Sequence, residues 1–575
     1  MSDLPPYPPL DPSNYDLIVV GTGVSESVFA AAASSSGSTV LHLDPNPFYG
    51  SHFASLSLPD LTSFLHSNSA SPPPPPPSSP PIPPSNSHEL ISVDLVHRSL
   101  YSSVEISSFD SKILEEHSRR FNVDLCGPRV VFCADESINL MLKSGANNYV
   151  EFKSIDASFV GDSSGELRNV PDSRAAIFKS KSLTLLEKNL LMKFFKLVQN
   201  QLAESDDDTT TTVKISEEDM ESPFVDFLAK MRLPPNIKSY RLLLHHFFVD
   251  YDQDDMETCR HLLKTKEGID RLALYIKSMG RFSNALGALI YPIYGQGELP
   301  QAFCRRAAVK GCIYVLRMPI TALLLDKASE LTETGGYKGV RLASGQEIFS
   351  QKLILDPCIN VGLESLSSLT DQQNETLRVL VPKAMINKEK IARGICVIRG
   401  SVKSDISNAL IVYPPKCSNT NRFFLLALFP EQLTAIRVLQ LGSGLAVCPA
   451  DMHVLYFSTL CENDDQGIKA LLSAMGNLIR LPVPENDSVV ENDTCEAKPL
   501  LLWRALYVQE LVKGEFGGTI SSMPSPDENL NYKETVESAV KLYEQIMGSE
   551  ELFKEETSLE NTTEENEGGV EIEEN

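Results

Sequence analysis

Long apolar runs are absent from this 575-residue chain. No stretch approaches the roughly 18 consecutive apolar residues that a membrane-spanning helix needs. The first residues have neither a basic start nor an apolar core, so we expect no signal peptide, and the last residues offer no cysteine for prenylation. These absences predict a cytoplasmic, cytosolic protein. The length predicts two or three domains, because one simple core does not accommodate so many residues.

Paired cysteines and an excess of positive charge are also missing. No two of the eleven cysteines have the Cys-x-x-Cys spacing, so we expect reduced thiols, many of them in the core, and no metal site. The formal net charge of −25 argues against a nucleic-acid-binding protein. Residues 549–575 hold eleven Glu and one Lys, and we expect this acidic tail to be disordered.

Common catalytic signatures are absent too: the sequence contains no H-E-x-x-H, Walker A or kinase motif. Gly161-Asp-Ser163-Ser-Gly165 does match the pattern of a nucleophile elbow, which must lead from a strand into a helix. The residues that follow, up to Pro171, do not begin a helix. This match therefore predicts a hairpin turn rather than a hydrolase site.

Residues 15–44 predict a strand, a tight turn, a helix and a second strand. The turn contains Gly21 and Gly23 of a dinucleotide fingerprint, and Asp44 lies near where an acidic residue would bind a ribose. The third glycine of the fingerprint is replaced by Glu26, whose carboxylate would occupy the phosphate site and repel a phosphate. The context predicts a Rossmann-type α/β fold, and Glu26 predicts that no cofactor is bound.

The middle of the chain has helical periodicity. Thr184 and Glu187 have the spacing of a capping box at the start of the first helix, and a later helix is predicted near 266–279. Strand patterns return after about residue 307. The apolar positions that we single out are Leu190 and Phe194 in the first helix, and Leu243 and Phe247 in a helix near 236–249.

Strand patterns on both sides of the helical segment predict one discontinuous α/β domain with mixed sheets and an inserted all-helical domain. The proline-rich residues 68–90 and the polar residues 203–222 predict exposed loops, although the proline run is also compatible with an SH3-type ligand. The expected division is 1–170 for the first part of the α/β domain, 171–282 for the helical domain, 283–548 for the second part and 549–575 for the tail.

Three segments carry a resemblance to a known family: YDLIVVGTGVSESVF and its continuation to residue 50, RRFNVDL at 119–125, and RFSNALGALIYPIYGQGELPQAFCRR and its continuation to residue 316. They resemble the family of Rab GDP dissociation inhibitors and Rab escort proteins. The resemblance covers most of 13–320 and is patchier up to about 548. It implies a flavoprotein-like domain and a helical domain, which agrees with the organisation predicted above, and a non-catalytic protein.

The resemblance also implies a set of binding residues. Departures from the family occur at Phe48, Ser51, Ile313 and Val315, and they bear on the preference for particular partners. The implied sites are a Rab-binding platform of Tyr49, Glu298, Gln301 and Arg305, a mobile effector loop from Arg281 and Phe282 to Ala288, and a groove for the GTPase C-terminus with Tyr149, Val150 and Phe152.

The chain length, the proline-rich insertion, the acidic tail and Gln296 resemble the escort branch of the family. That branch implies three partners: GDP-bound Rab GTPases, the Rab geranylgeranyltransferase heterodimer, and the geranylgeranyl lipid of the product, with only peripheral and transient membrane contact. The apolar helical residues would shelter the lipid, although ordinary core packing also explains them. The alternatives are a GDP dissociation inhibitor, a flavin-dependent oxidoreductase and an interaction scaffold built around the proline run and the tail.

Overall fold

The computed structural model describes residues 9–69, 90–162, 165–170, 184–202, 214–231, 259, 262–285, 287–326, 336–362, 377, 380–381, 385–415, 432–480, 498–549 and 551–553. The strands are β1 (Asn14–Val20), β2 (Val40–Asp44), β3 (Ser55–Leu56), β4 (Leu90–His97), β5 (Tyr101–Ser108), β6 (Val123–Asp124), β7 (Val131–Phe132), β8 (Phe152–Ser154), β9 (Ala157–Gly161), β10 (Leu167–Asn169), β11 (Leu289–Pro292), β12 (Ile313–Leu316), β13 (Ile320–Asp326), β14 (Tyr337–Leu342), β15 (Glu347–Leu355), β16 (Ile359–Val361), β17 (Met385–Arg399), β18 (Ala409–Tyr413), β19 (Ile436–Gly442), β20 (Met452–Cys461), β21 (Leu500–Lys513) and β22 (Ile520–Ser522). The helices are α1 (Val24–Ser35), α2 (Leu58–Ser67), α3 (Ser111–His117), α4 (Glu136–Ser144), α5 (Leu185–Leu202), α6 (Glu217–Glu221), α7 (Phe224–Lys230), α8 (Thr265–Ser278), α9 (Glu298–Val309), α10 (Asp464–Leu478) and α11 (Lys533–Met547).

The first sheet contains the predicted strand–helix–strand unit. Its strand order is β12-β2-β1-β15-β14-β13-β4-β16, and β22 pairs with β15. The pairs β12–β2, β2–β1 and β1–β15 are parallel, whereas β14 runs antiparallel to both of its neighbours. The alanines of α1 are fully buried in a cluster with residues of α9 and α11. Their small side chains allow these helices to pack closely beside the sheet.

The second sheet has the order β10-β9-β18-β19-β20-β17-β21-β5, and α10 covers one of its faces. Both large sheets therefore combine strands that precede the helical segment with strands that follow it. β1, for example, pairs with β15, and β9 pairs with β18. This interleaving confirms the predicted discontinuous α/β fold with mixed sheets. The division at residues 170, 282 and 548 stays a prediction.

The helical segment begins with the predicted capping box. The Thr184 backbone N–H donates to Glu187 Oε2 at 2.7 Å, and the Glu187 N–H donates to Thr184 Oγ1 at 3.4 Å. The helix predicted near 266–279 is α8, whereas the one near 236–249, with Leu243 and Phe247, lies outside the described residues. Buried side chains of α5 and α8 share one cluster with those of β11, so the helical core is continuous with the α/β core.

Three further predictions can be compared with the structure. The nucleophile-elbow match is a hairpin, because Gly161 of β9 pairs antiparallel with Leu167 of β10. Eight of the nine cysteines in the described residues are buried, as expected of core thiols. In the described part of the chain, no helix has the length and the apolarity that a bilayer crossing requires.

The expected disorder of residues 549–575 is wrong at the start of that segment. Leu552 and Phe553 are 5% and 4% exposed and belong to the same buried cluster as Tyr543 of α11. The prediction followed the acidic composition of the segment and overlooked these two apolar side chains. Their burial away from water stabilises the folded chain. The remainder of the tail lies outside the described residues.

Gly268 provides a test of the packing between α7 and α8. A Cβ atom at this position would lie 2.4 Å from Cδ1 of Phe224, which is 2% exposed. We expect Gly268→Ala to lower the free energy of unfolding by about 1–3 kcal/mol, because the buried ring cannot move away without disturbing its neighbours. Urea denaturation measures the difference.

Gly476→Ala in α10 is the matched control, because a Cβ there would have no heavy atom within 4 Å. Alanine is the better helix former, so this variant should gain about 0.5–1 kcal/mol. Equal gains in both variants would contradict the close packing of Gly268 on Phe224.

Candidate functional site

The glycine-rich turn after β1 is bonded to the chain's own side chains. The Thr22 backbone N–H and hydroxyl both donate to Asp44 Oδ2, at 2.9 and 2.6 Å, and the Asn46 N–H donates to Asp44 Oδ1 at 2.8 Å. The Asp44 carboxyl group thus accepts hydrogen bonds from within the protein, whereas the sequence pattern alone predicts that it binds a ribose. The Gly50 N–H donates to Thr22 Oγ1 at 2.9 Å, so the same network fixes the backbone beside Tyr49.

Glu26 lies where the fingerprint predicts the phosphate site. Its side chain is buried, and Oε2 is only 2.5 Å from where a Cβ on Gly23 would be, at the N-terminus of α1. Burial, together with the nearby Asp356 carboxyl group, raises the pKa of Glu26 to about 8. The group is therefore largely protonated at neutral pH. Glu26 thus fills space where the fingerprint predicts a phosphate, and as a neutral acid it adds no charge repulsion.

Asp356 is a further acidic residue of this crevice, beyond those of the sequence fingerprint. It follows β15, and its Oδ2 would lie 2.8 Å from a Cβ on Gly21. The Ser51 hydroxyl donates to Asp356 Oδ2 at 2.8 Å, and His52 Nε2 is 3.5 Å from Oδ1. Burial alone would raise the pKa of Asp356, but the nearby His52 holds it well below its usual range. An Asp directly after an apolar strand is the signal that could have found it.

His52, Asp356 and Cys358 form a compact buried group. Their potential ligand atoms all lie within 4.8 Å of one another, an arrangement that could hold a metal ion. Cysteine spacing alone predicts no metal site here, because these three residues come from distant segments of the chain. His52 Nε2 is 3.0 Å from Cys358 Sγ, and Nδ1 is 2.7 Å from the Tyr101 hydroxyl. Hydrogen bonds within the protein thus account for the positions of these side chains.

The crevice at the carboxyl ends of β1, β2 and β15 does not fit a dinucleotide cofactor. In this fold a pyrophosphate and a ribose would lie at that edge of the sheet. Glu26 fills the space beside Gly23, and Asp44 is bonded to Thr22. A pyrophosphate would also bring its negative charge next to Asp356, whose low pKa keeps it ionised. The residues present disfavour binding of a flavin or nicotinamide dinucleotide.

Three of the four predicted platform residues lie on one face of α9, and the fourth, Tyr49, lies in the segment after β2. Glu298, Gln301 and Arg305 follow the i, i+3, i+7 spacing of a single helix face, while the opposite face packs into the core. Burial raises the pKa of both Tyr49 and Glu298, and the positive charge of Arg305 opposes the shift in each case. Tyr49 and Glu298 both lie within range of the Arg305 charge, and we expect the four side chains to form one surface. Its edge is fixed by the Tyr49 ring, which packs edge-on against Tyr314 at 6.2 Å.

The predicted tail groove adjoins this platform. The Arg305 guanidinium lies 5.5 Å above the ring of Tyr149, which links the two sites. Beside it is a cavity of about 240 Å³ whose lining includes the apolar side chains of Val150, Phe152 and Phe282. Phe282 of the predicted effector loop and two of the predicted groove residues thus line the same cavity, although the resemblance implies two separate sites.

The other residues singled out from the sequence lie elsewhere. Arg281 donates to the Cys133 carbonyl at 2.9 Å and to Asn139 Oδ1 at 2.7 Å, so these contacts fasten the start of the predicted effector loop. Phe194 of α5 is 1% exposed and belongs to the core, and Leu190 packs against that core while half-buried. In this conformation Phe194 is an ordinary core side chain.

Comparison with known proteins identifies the family of this chain. The sequence model of the GDP dissociation inhibitor family matches residues 11–76 and 88–365. The chain belongs to that family. Rab escort protein 1 of Arabidopsis thaliana is 86% identical over the full length of both chains. Rab proteins geranylgeranyltransferase component A 2 of Mus musculus is 24% identical over 94% of this chain and 96% of its own.

A solved structure supports the fold of this GDP dissociation inhibitor family member. The crystal structure of the Rab GDI from Plasmodium falciparum superimposes with a TM-score of 0.62 and covers 93% of this chain and 99% of its own. The sequence identity is 17%, so this likeness concerns the fold alone.

Glu26 gives this family member a testable pH dependence. Below the ordinary carboxyl value of 4.5 the group is protonated in both states, whereas between 4.5 and about 8 only the unfolded chain releases the proton. The contribution of Glu26 to stability is therefore lost as the pH rises through this window. Glu26→Gln cannot ionise, so its unfolding free energy relative to the wild type should rise by about 1–3 kcal/mol from about pH 5 to about pH 8.

Denaturant titrations at several pH values measure this difference. Glu105→Gln, which alters an exposed acid of β5, is the matched control, and its difference from the wild type should change much less with pH. A constant difference for Glu26→Gln would rule out a protonated Glu26 in the folded protein.

Proposed function

We propose that this chain acts as a Rab escort protein, an accessory subunit rather than a catalyst. It binds newly made GDP-bound Rab GTPases in the cytosol, presents them to the Rab geranylgeranyltransferase heterodimer and carries the prenylated product to membranes. The observation that carries the proposal is the 86% identity, over the full length, with a protein named Rab escort protein 1. The name component A of the more distant relatives agrees with an accessory role.

The face of α9 supports binding of the GTPase. Arg305 is exposed, and Glu298 and Gln301 are half-buried, so their polar groups can contact a partner while their stems are held by the protein. Interfaces owe most of their binding energy to a few aromatic and arginine side chains, which here are Tyr49 and Arg305. Because the crevice beside the platform is filled by carboxyl groups, the proposal assigns binding of a protein, not of a dinucleotide, to this part of the fold.

The adjoining cavity supports binding of an extended C-terminal segment of the GTPase. Val150, Phe152 and Phe282 offer apolar walls, and the exposed Leu142 extends them at the surface. An apolar side chain that enters the cavity would leave water, which stabilises the complex by about 25 cal/mol per Å² of buried apolar surface. The platform would hold the folded GTPase while the cavity holds the chain that leads to its prenylation site.

The lipid requires a third surface, because burial of each CH₂ group of a geranylgeranyl chain is favourable by about 0.8 kcal/mol relative to exposure to water. We assign it to the helical segment that contains Leu190 and Phe194. Since Phe194 is 1% exposed, the lipid would have to separate the helices to reach it. No bond is made or broken on this chain in the proposed cycle, and the transferase supplies the chemistry.

Prenylation of an unprenylated Rab by the purified transferase tests the proposal. We expect no product without this chain and full turnover with it. Arg305→Ala should reduce Rab affinity at least about tenfold, because it removes an exposed arginine anchor from the platform. Titration of the chain against a GDP-bound Rab measures the loss, and the prenylation rate at low chain concentration should fall in parallel.

Lys310→Ala removes an exposed positive charge one residue beyond α9 and is the matched control, with affinity expected to stay near that of the wild type. If Arg305→Ala binds as well as the wild type, the platform assignment is wrong. If the chain binds prenylated Rab but does not support prenylation, it is a GDP dissociation inhibitor instead.

Phe282→Ala tests the cavity separately from the platform. We expect it to weaken binding of full-length GDP-bound Rab about tenfold, because it removes an apolar wall, and to leave binding of a Rab without its C-terminal segment unchanged. Phe109→Ala is the control, since Phe109 is 43% exposed and does not line the cavity. Equal losses for full-length and truncated Rab would contradict the assignment of the tail to this cavity.

A further inference from the structure

Tyr294 has an unusual backbone for a large side chain. Its φ is +74°, in the left-handed region that glycine adopts readily and a bulky aromatic residue rarely does. Its side chain is 56% exposed, so the core does not stabilise this conformation. Strained residues of this kind persist only where the surrounding structure imposes them, and they concentrate at functional sites.

Buried hydrogen bonds hold the segment that follows Tyr294. Asp124, which is fully buried, accepts from the Ser55 hydroxyl at 2.6 Å, from the Gln296 N–H at 2.9 Å and from the Tyr291 hydroxyl. Ser55 Oγ in turn accepts from the Gly297 N–H at 2.8 Å. We name Ser55 and Asp124, with these bonds, the Asp124 clamp.

The clamp leaves little freedom to the residues between Tyr294 and α9. A Cβ on Gly295 would lie 2.4 Å from Ser55 Oγ, and a Cβ on Gly297 would lie 2.8 Å from the Ser55 nitrogen. Both positions therefore require glycine for close approach. On the other side, the Tyr294 N–H donates to the Leu445 carbonyl at 2.8 Å. The left-handed conformation of Tyr294 follows from bonds on both sides of it.

The consequence is an exposed phenol in the turn that leads into α9. Tyr294 lies four residues before Glu298, and the Glu298 N–H donates to the Gly295 carbonyl at 3.2 Å, so the turn leads directly into the platform face of α9. Glycine would adopt the backbone of Tyr294 without strain, which means that stability alone does not explain a tyrosine there. Exposed, rigidly held aromatic residues are typical anchors of protein interfaces.

We propose that Tyr294 is an additional aromatic anchor for the GDP-bound GTPase, held in position by the Asp124 clamp. This inference rests on the proposed function and extends the platform of Tyr49, Glu298, Gln301 and Arg305 to the turn before α9. Tyr294 touches the partner, whereas Asp124 is a positioning residue. The partner is the folded part of the GTPase, since the tail cavity is lined by other residues.

Tyr294→Gly is the decisive variant because it removes the ring and relieves the backbone at the same time. We expect its affinity for a purified GDP-bound Rab to fall at least about fivefold while its thermal unfolding midpoint stays equal to that of the wild type or rises. Tyr294→Phe keeps the ring and should retain most of the affinity. Asp405→Gly, at another exposed residue with φ of +64°, is the control and should leave the affinity unchanged.

Wild-type affinity for Tyr294→Gly would overturn the proposal, and so would a loss of affinity accompanied by a lower unfolding midpoint, because the ring would then be structural. Arg305→Ala in the same titration distinguishes failure of the proposed function from failure of the role assigned to Tyr294. If Arg305→Ala weakens binding and Tyr294→Gly does not, the proposed function stands and this extension fails. If the wild-type chain binds no Rab at all, the proposed function fails and Tyr294 loses its assigned partner.

Discussion

The hydrogen bonds between Thr22 and Asp44 are the contact on which the site depends. They join the glycine-rich turn to a carboxyl group of the chain itself. The Thr22 hydroxyl oxygen also accepts a hydrogen bond from the backbone N–H of Gly50, the residue after Tyr49. Glu26 fills the space at the start of α1 in the same turn. A turn that binds phosphate in related folds serves here to fix the position of a surface aromatic residue.

The packing of α1 against α9 extends this constraint to the rest of the platform. The buried faces of the two helices share one core cluster, so the polar face with Glu298 and Arg305 has a fixed orientation toward solvent. The Asp124 clamp fixes the entry to α9 in addition. Binding of a protein partner to such a rigid surface loses little conformational entropy, and this favours affinity.

Local sequence patterns predicted much of the fold and part of the site. The spacing of Gly21, Gly23 and Asp44 predicted the strand–turn–helix–strand unit, because periodicity and turn chemistry are local. Asp356 and the Asp124 clamp could not be found in this way, since their partners are remote in sequence and meet only in the folded chain. The protonation of Glu26 was missed for the same reason: burial and the neighbouring Asp356 determine its pKa.

Hydrogen–deuterium exchange of the chain, alone and with a GDP-bound Rab, tests the central claim most directly. The filled crevice and the fixed platform predict slower exchange of the backbone amides of residues 48–52 and 294–301 when the Rab binds. Amides of β17 and β20 in the second sheet should be unaffected. Protection confined to the second sheet, with no change around Tyr49 or α9, would contradict the claim that this turn and this helix bind the GTPase.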